Sequence, residues 1–297
     1  MTEVTKWSDS AMFQAVPIIV EGDEVRPRVT LITMTEDPLR VMAAAWMMYK
    51  GKPCTSSDID RATAEEFAAD AQLSKIAAPL EWCQMAFLIE GVTRAFTHQM
   101  VRQRTATYVQ ESMRFAVKDN AAFEVATPPS LAGLPDDDPQ RQIWEAAVAK
   151  IAWSYNALIS AGMPAEDARG LLPTNITTRI HYRTSLRDLI EHAGLRLCSQ
   201  AQHEWKQVWL EIIKAILAYG PEEHRWQQRE IVSMFKPVCY KTGKCEFLGK
   251  FDRYCVIRDR VEAHHAAGDR PETWTDINPQ ACLHPEAART ADSAWRM

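Results

Sequence analysis

Apolar and polar positions change period several times along the chain, and each change marks an element. VRPRVTLITM (25–34) is rich in β-branched residues and predicts a strand. Asp37 then caps a helix with Pro38 at its first position, which runs through LRVMAAAWMMYK to Gly51, a natural C-terminal stop. Thr63 and Glu66, three residues apart, predict a capping box for a second helix over about 64–73. CQMAFLIEGV (83–92) reads as a mostly buried strand. TRAFTHQMVRQR (93–104) reads as a helix with Phe96, Met100 and Val101 on its apolar side. On such a helix Gln99 and Arg102 share a face.

TPPSLAGLPDDDPQ (127–140) is the strongest breaker in the chain. Beyond it, residues 141–162 predict a long amphipathic helix with Ile143, Ala147, Ile151 and Tyr155 in register. PAEDARGLL (164–172) is a short helix, and NITTRIHYRTS (175–185) alternates like a strand. SLRDLIEHAG (185–194) and SQAQHEWKQVWLEIIKAILAYG (199–220) are two further helices. Few strands among several long helices predict an α+β fold. The expected organisation is one catalytic domain over 1–236 and a C-terminal extension, rich in Cys, Gly and charge, over 237–297.

A chain of 297 residues can bury a full core. No apolar run approaches the ~20 residues of a membrane span, and residues 1–15 lack the layout of a signal peptide. A cytoplasmic protein with no membrane partner is expected. The net charge of −5 opposes general binding to nucleic acid, and no groove-reading motif is present. Any anion site must therefore be a local concentration of arginine. The seven cysteines are odd in number and scattered: Cys54, Cys83 and Cys198, then Cys239, Cys245, Cys255 and Cys282. They are no secreted disulfide framework. The tail set lacks a CxxC, so no metal site is expected even with His264 and His265 close by in sequence.

Such a concentration exists. RQRTATYVQESMR (102–114) holds Arg102, Arg104 and Arg114 with Gln103, Gln110, Glu111 and Ser112. Fixed guanidiniums of this kind hold phosphates and carbonyl-rich rings. Arg179 lies on the strand after LLPTN, and Arg196, Gln200, Gln202, Glu204 and Lys206 surround a helix start. Each segment alone is open to a structural reading: a solvated face for the RQR run, a surface residue for Arg179. Together they point to one anionic ligand.

These segments resemble the flavin-dependent thymidylate synthases, whose signature is RHR, seven residues, Ser, any residue, Arg. The likeness extends to VTLITMTEDPLRVMAAAWMMY, to PLEWCQMAFLIEGVTRAFTHQMVRQR, and to LLPTNITTRIHYRTSLRDLIEHAGLRLCSQAQHEW, covering roughly 28–220. The resemblance implies a central antiparallel or mixed sheet with long helices. It also implies methylation of C5 of dUMP using FAD, NADPH and methylenetetrahydrofolate, in a homotetramer with shared active sites. By the same likeness Gln99, Arg102, Ser112, Arg114 and Arg179 would hold the pyrimidine deoxynucleotide, with Gln110, Glu111 and Lys206 lining its pocket. Arg102, Gln103, Arg104, Gln110, Arg196 and Gln200 would contact the flavin. Lys206, Ser112 and Arg114 would act in catalysis. No cysteine nucleophile is implied, and Cys198 is read as a structural thiol.

The chain departs from that pattern at Gln103 (for the His of RHR), at Ile76 and Trp82 (for two histidines), at Gly194 (for an Asn) and at Lys206 (for the Arg ending AQxEIR). Gln103 cannot titrate near neutrality. Lys206 keeps the charge but not the planar two-pronged contact. Three functions therefore stay open: transfer to dUMP; the same chemistry on dCMP, or hydroxymethyl transfer; and a non-catalytic nucleotide-binding homologue.

Overall fold

The computed structural model describes residues 26–73, 76–119, 123–198, 200–245, 255 and 257–269. Four strands form one sheet: β1 (Arg28–Met34), β2 (Gln84–Thr93), β3 (Thr107–Gln110) and β4 (Thr177–Ser185), in the order β1-β2-β4-β3. β1 is antiparallel to β2, and β3 to β4. The helices, in chain order, are α1 (Pro38–Tyr49), α2 (Arg61–Leu73), α3 (Arg94–Met100), α4 (Pro129–Ala132), α5 (Pro139–Ser160) and α6 (Ala165–Ala168). They continue with α7 (Leu186–Arg196), α8 (Glu204–Ala218), α9 (Arg225–Ser233), α10 (Val238–Thr242) and α11 (Arg258–Ala267). This is the α+β arrangement expected.

The chain divides into two compact units. Among the described residues the smaller comprises 93–95, 111–119 and 123–178, and the larger comprises 26–73, 76–92, 96–110, 179–198, 200–245, 255 and 257–269. The larger unit holds the sheet's main core. Alternation in β2 buries Met85, Phe87 and Ile89, and alternation in β4 buries Ile180 and Tyr182 while exposing Arg179, His181 and Arg183. α8 packs on β1 and buries Trp205, Val208, Trp209, Ile212, Ile213 and Ile216, the one-sided stripe of a helix laid on a core. The smaller unit has its own core of Met113, Phe123, Val148, Ala152 and Ile176.

Several local expectations change. α3 stops at Met100, so Arg102 lies in the following turn and does not share a helix face with Gln99. The Tyr108 hydroxyl donates to the Met100 carbonyl (2.8 Å) and the Gln103 carbonyl (3.1 Å), satisfying groups that a longer helix would have used. Val101 is accordingly exposed. On α5 the buried stripe is Val148, Ala152 and Tyr155, whereas Ile143 and Ala147 are exposed. α2 begins earlier than its pattern predicts, because Asp60 Oδ1 accepts the Thr63 N–H at 2.8 Å and takes the capping role. Asp37 stands at the N-cap of α1, as predicted, but makes no cap bond. Its Oδ1 accepts instead from Gln227 Nε2 (2.9 Å), while Gln227 Oε1 accepts the Leu39 N–H (3.0 Å). Strand β3, inside the RQR…S stretch, has no counterpart in the sequence reading.

Candidate flavin and nucleotide site

In the larger unit the RQR stretch is a turn leading from α3 into β3. Arg102 and Arg104 are exposed on it. Gln103 between them is held on every side. Its Oε1 accepts the Tyr182 hydroxyl (2.9 Å), its Nε2 donates to the Asp188 carbonyl (3.3 Å), and its N–H donates to the Met100 carbonyl (3.1 Å). Tyr182 in turn is stacked between Phe87 and Tyr108, with ring centroids 6.0 and 5.5 Å away. Burial pushes both tyrosine hydroxyls well above their usual range, so they remain protonated donors. The turn is thus fixed from beneath by a neutral network, and its two arginines face outward. A cavity of about 240 Å³ bounded by Thr105, Thr107, Arg183 and Asp188, among others, adjoins the turn but is lined by none of the candidate residues.

A second group forms around Trp205. Its indole Nε1 donates to Gln99 Oε1 at 3.1 Å. Phe96 lies 4.2 Å from it and His192 meets it edge-on at 4.8 Å. The Arg196 guanidinium rests over the same indole, 4.6 Å from the ring centroid. One buried ring therefore sets both a residue expected at the nucleotide and one expected at the flavin. Sequence reasoning passed over Trp205, although two indoles, Trp205 and Trp209, in an otherwise aliphatic helix stripe were the available signal. Arg196 Nε is buried without a hydrogen-bond acceptor, and desolvation lowers the Arg196 pKa. A buried donor of this kind fits a flavin carbonyl or ring nitrogen. Gln110 Nε2 donates to Thr97 Oγ1 (2.7 Å), which fixes its amide. Arg179, exposed on β4, reaches Glu90 at 4.0 Å. Gln200 and Lys206 are half-buried, on the connection to α8 and on its first turn.

The smaller unit carries Glu111, Ser112 and Arg114. Glu111 accepts from Lys118 Nζ at 2.8 Å in a pair whose side chains are only 14% and 7% exposed, and the Thr178 hydroxyl adds a 3.4 Å contact. Arg94 senses this carboxylate. Its pKa is lowered by burial and by Arg169 and is partly restored by Glu111. Ser112 opens a turn in which its carbonyl accepts the N–H groups of Phe115 (3.1 Å) and Ala116 (2.8 Å). Arg114, half exposed, pairs with Glu166 at 2.8 Å.

The departures from the family pattern have physical settings. Ile76 and Trp82 are exposed. Gly194 is buried on α7, where a Cβ would lie 3.8 Å from the Lys236 carbonyl oxygen and the Val238 nitrogen. That is ordinary van der Waals contact, so the backbone leading into α10 borders the position where the family pattern has asparagine.

Comparison with known proteins agrees with the motifs. Residues 30–222 match the family described as thymidylate synthase complementing protein. A flavin-dependent thymidylate synthase of Geobacter sulfurreducens is 34% identical over 202 residues, 65% of this chain and 84% of that protein. Those of Sulfurisphaera tokodaii and Pyrococcus furiosus are each 32% identical. The matches cover 67% and 73% of this chain, and 76% and 88% of the relatives. With the matched span running through the RQR turn, the Gln99–Trp205–Arg196 group and α8, the chain belongs to the thymidylate synthase complementing protein family.

Proposed function

We propose that this protein is a flavin-dependent enzyme that transfers a one-carbon unit from methylenetetrahydrofolate to C5 of a pyrimidine deoxynucleotide, dUMP, with NADPH as reductant and FAD as cofactor. The observation that carries the reading is the Gln99–Trp205–Arg196 arrangement inside the family-matched span. The relatives' shared name supports the flavin and the thymidylate product. Bound FAD would supply hydride and carriage of the one-carbon unit. The chain's own residues supply charge and position. Arg102, Arg114, Arg179 and Ser112 would hold the nucleotide phosphate, and Gln99, oriented by Trp205, would hold the nucleotide's polar edge. Arg196, Arg104, Gln103 and Gln200 would line the flavin, with Arg196 giving its unpaired Nε–H. Lys206 would place a positive charge where the pyrimidine ring gains negative charge. The active oligomer would be a homotetramer with shared sites, in the cytoplasm; among the described residues no helix is long and apolar enough to cross a membrane.

Lys206 also favours a second reading, in which the acceptor is dCMP, because an ammonium presents a different donor pattern from a guanidinium. The test is NADPH oxidation and product formation with methylenetetrahydrofolate and dUMP, dCMP or UMP supplied separately. Turnover with dUMP alone supports the first reading, and turnover with dCMP alone replaces it by the second. Nucleotide binding without transfer on any acceptor, or a protein that stays colourless after FAD is added, refutes both.

A further inference from the structure

Within the smaller unit a buried ion pair closes a short loop. In Glu111–Lys118 the first and last of eight residues meet. The Lys118 ammonium donates to Glu111 Oε2 at 2.8 Å, and the Thr178 hydroxyl adds its 3.4 Å contact to the same oxygen. The Lys118 backbone N–H donates to the Tyr155 hydroxyl at 3.2 Å, and Tyr155 is fully buried on α5. Between the two ends, Met113 is buried in the small core. The loop is therefore anchored at both ends and at its third residue.

Those anchors leave Ser112 and Arg114 exposed. One turn sets the backbone of both. Ser112 Oγ accepts the Arg114 N–H at 3.3 Å, and the Ser112 carbonyl accepts the N–H groups of Phe115 and Ala116. The Arg114 guanidinium itself is not sealed in. Its partner Glu166 is also about half exposed, and an exposed pair is worth so little that a phosphate can displace the carboxylate. The Glu111–Lys118 pair is of the opposite kind. Burying two charges costs so much desolvation that an apolar pair of similar volume would stabilise the fold about as well.

We propose that Lys118 is a positioning residue, which acts through the Glu111 carboxylate to hold the 111–118 loop so that Ser112 and Arg114 are set for the nucleotide phosphate before it binds. The pair contributes fixed geometry more than stability: its two charges must meet, so the residues between them have few shapes open to them. Glu111 thereby serves the site through the loop and not as a wall of the nucleotide pocket, the place the family resemblance gives it. A loop fixed in advance does not have to be ordered by its ligand, and that ordering would be subtracted from the affinity. This use of the loop rests on the nucleotide reading of Ser112 and Arg114.

The test compares wild type, Lys118→Met and the double variant Lys118→Met/Glu111→Gln as full-length, flavin-loaded proteins. Three quantities are read: stability in urea, dUMP affinity by calorimetry, and the rate at which trypsin cleaves after Arg114, followed by mass spectrometry. Lys118→Met should lose stability, and the double variant should recover most of it, since it buries no unpaired charge. Positioning predicts that the other two quantities do not recover. In the double variant the dUMP Kd should stay about tenfold above wild type, and cleavage after Arg114 should stay about tenfold faster. Wild-type dUMP affinity in the double variant would make Lys118 structural only and overturn the proposal. Weaker dUMP binding with wild-type cleavage would mean that Glu111 touches the nucleotide directly, and would overturn it too. If Lys118→Met does not fold, the double variant decides alone. If wild type binds no dUMP, the nucleotide reading fails; faster cleavage in the double variant then still upholds the hold on the loop, and equal rates overturn it.

Discussion

Trp205→Phe tests whether one buried indole sets the geometry of both ligand-facing residues. The substitution removes the Nε1–H that Gln99 Oε1 accepts at 3.1 Å, while a phenyl ring can still pack against Phe96 and His192. The lost hydrogen bond is worth about 1 kcal/mol. The smaller, less electron-rich ring beneath Arg196 forfeits roughly another 0.5 kcal/mol of cation–π attraction. The space left by the indole in a fully buried site adds about 1 kcal/mol. Urea unfolding should therefore show a loss of about 2–3 kcal/mol. The functional part is separable. Gln99, no longer held, must be ordered by the nucleotide itself, so dUMP affinity measured by calorimetry on the flavin-loaded protein should fall about five- to tenfold, the equivalent of ~1 kcal/mol. Trp209→Phe is the control. Trp209 is equally buried and meets Phe235 edge-on (5.3 Å), but its Nε1 has no hydrogen-bond partner. It should lower stability and leave nucleotide affinity unchanged. Equal losses of dUMP affinity in the two variants, or none in Trp205→Phe, would refute the idea that Trp205 orients Gln99.

Three further outcomes are expected. Lys118→Met removes the ammonium 2.8 Å from the buried Glu111 carboxylate and should destabilise by about 3 kcal/mol, the low end for a broken buried pair because Arg94 stays nearby. Adding Glu111→Gln should restore most of that in chemical denaturation, and failure to do so would show that the charge pair is not the cause. His192 is held down to about 3 by burial and then by Arg196, against 6.5 in an unfolded chain. Between those values only the unfolded state takes up a proton, so its contribution is complete above pH 6.5. It is lost at up to ~1.4 kcal/mol per unit as pH falls toward 3. Urea titrations of His192→Phe from pH 4 to 7 should show a shallower acid slope. Tyr182→Phe leaves Gln103 Oε1 without its 2.9 Å donor and should weaken FAD binding severalfold by loosening the RQR turn, measured as flavin released on dilution.

Much of the fold was legible because its elements obey strong periodicities. The strands at β2 and β4 and the helix at α8 appear where the apolar pattern puts them. What the pattern misjudged was decided by long-range partners that no local window contains. α3 ends where Tyr108, eight residues on, reaches back to the Met100 carbonyl. Ile143 fits a helical stripe on paper, yet the small unit's core meets α5 along Trp144, Val148, Ile151 and Ala152, and Ile143 is exposed. β3 is only four residues long and half of them exposed, so it exists because β4 offers it a partner.

The candidate site divides in the same way, and the division has a cause. Arg102, Arg104, Ser112 and Arg114 keep the family spacing, and all four are exposed, where sequence spacing needs little support from the core. Gln103, Gly194 and Lys206 depart from it, and each belongs to or touches the α7–α8 segment. Gln103 donates to the Asp188 carbonyl on α7, Gly194 lies on α7 against the backbone entering α10, and Lys206 on α8 acts on Cys198. The α7 part of that segment is where α10 packs, and the span matched to the family ends at residue 222, before α10 begins. A Cβ at 194 would rest in ordinary contact with the Lys236 carbonyl oxygen and the Val238 nitrogen, so an asparagine amide there would have to lie beside the segment entering α10. Three of the five departures thus lie on or against the α7–α8 segment, whose α7 part meets α10 outside the matched span. Gly194→Asn should accordingly crowd the contact between α7 and the start of α10 and lower stability modestly rather than improve flavin binding. Tighter FAD binding by Gly194→Asn, without loss of stability in urea, would break that link.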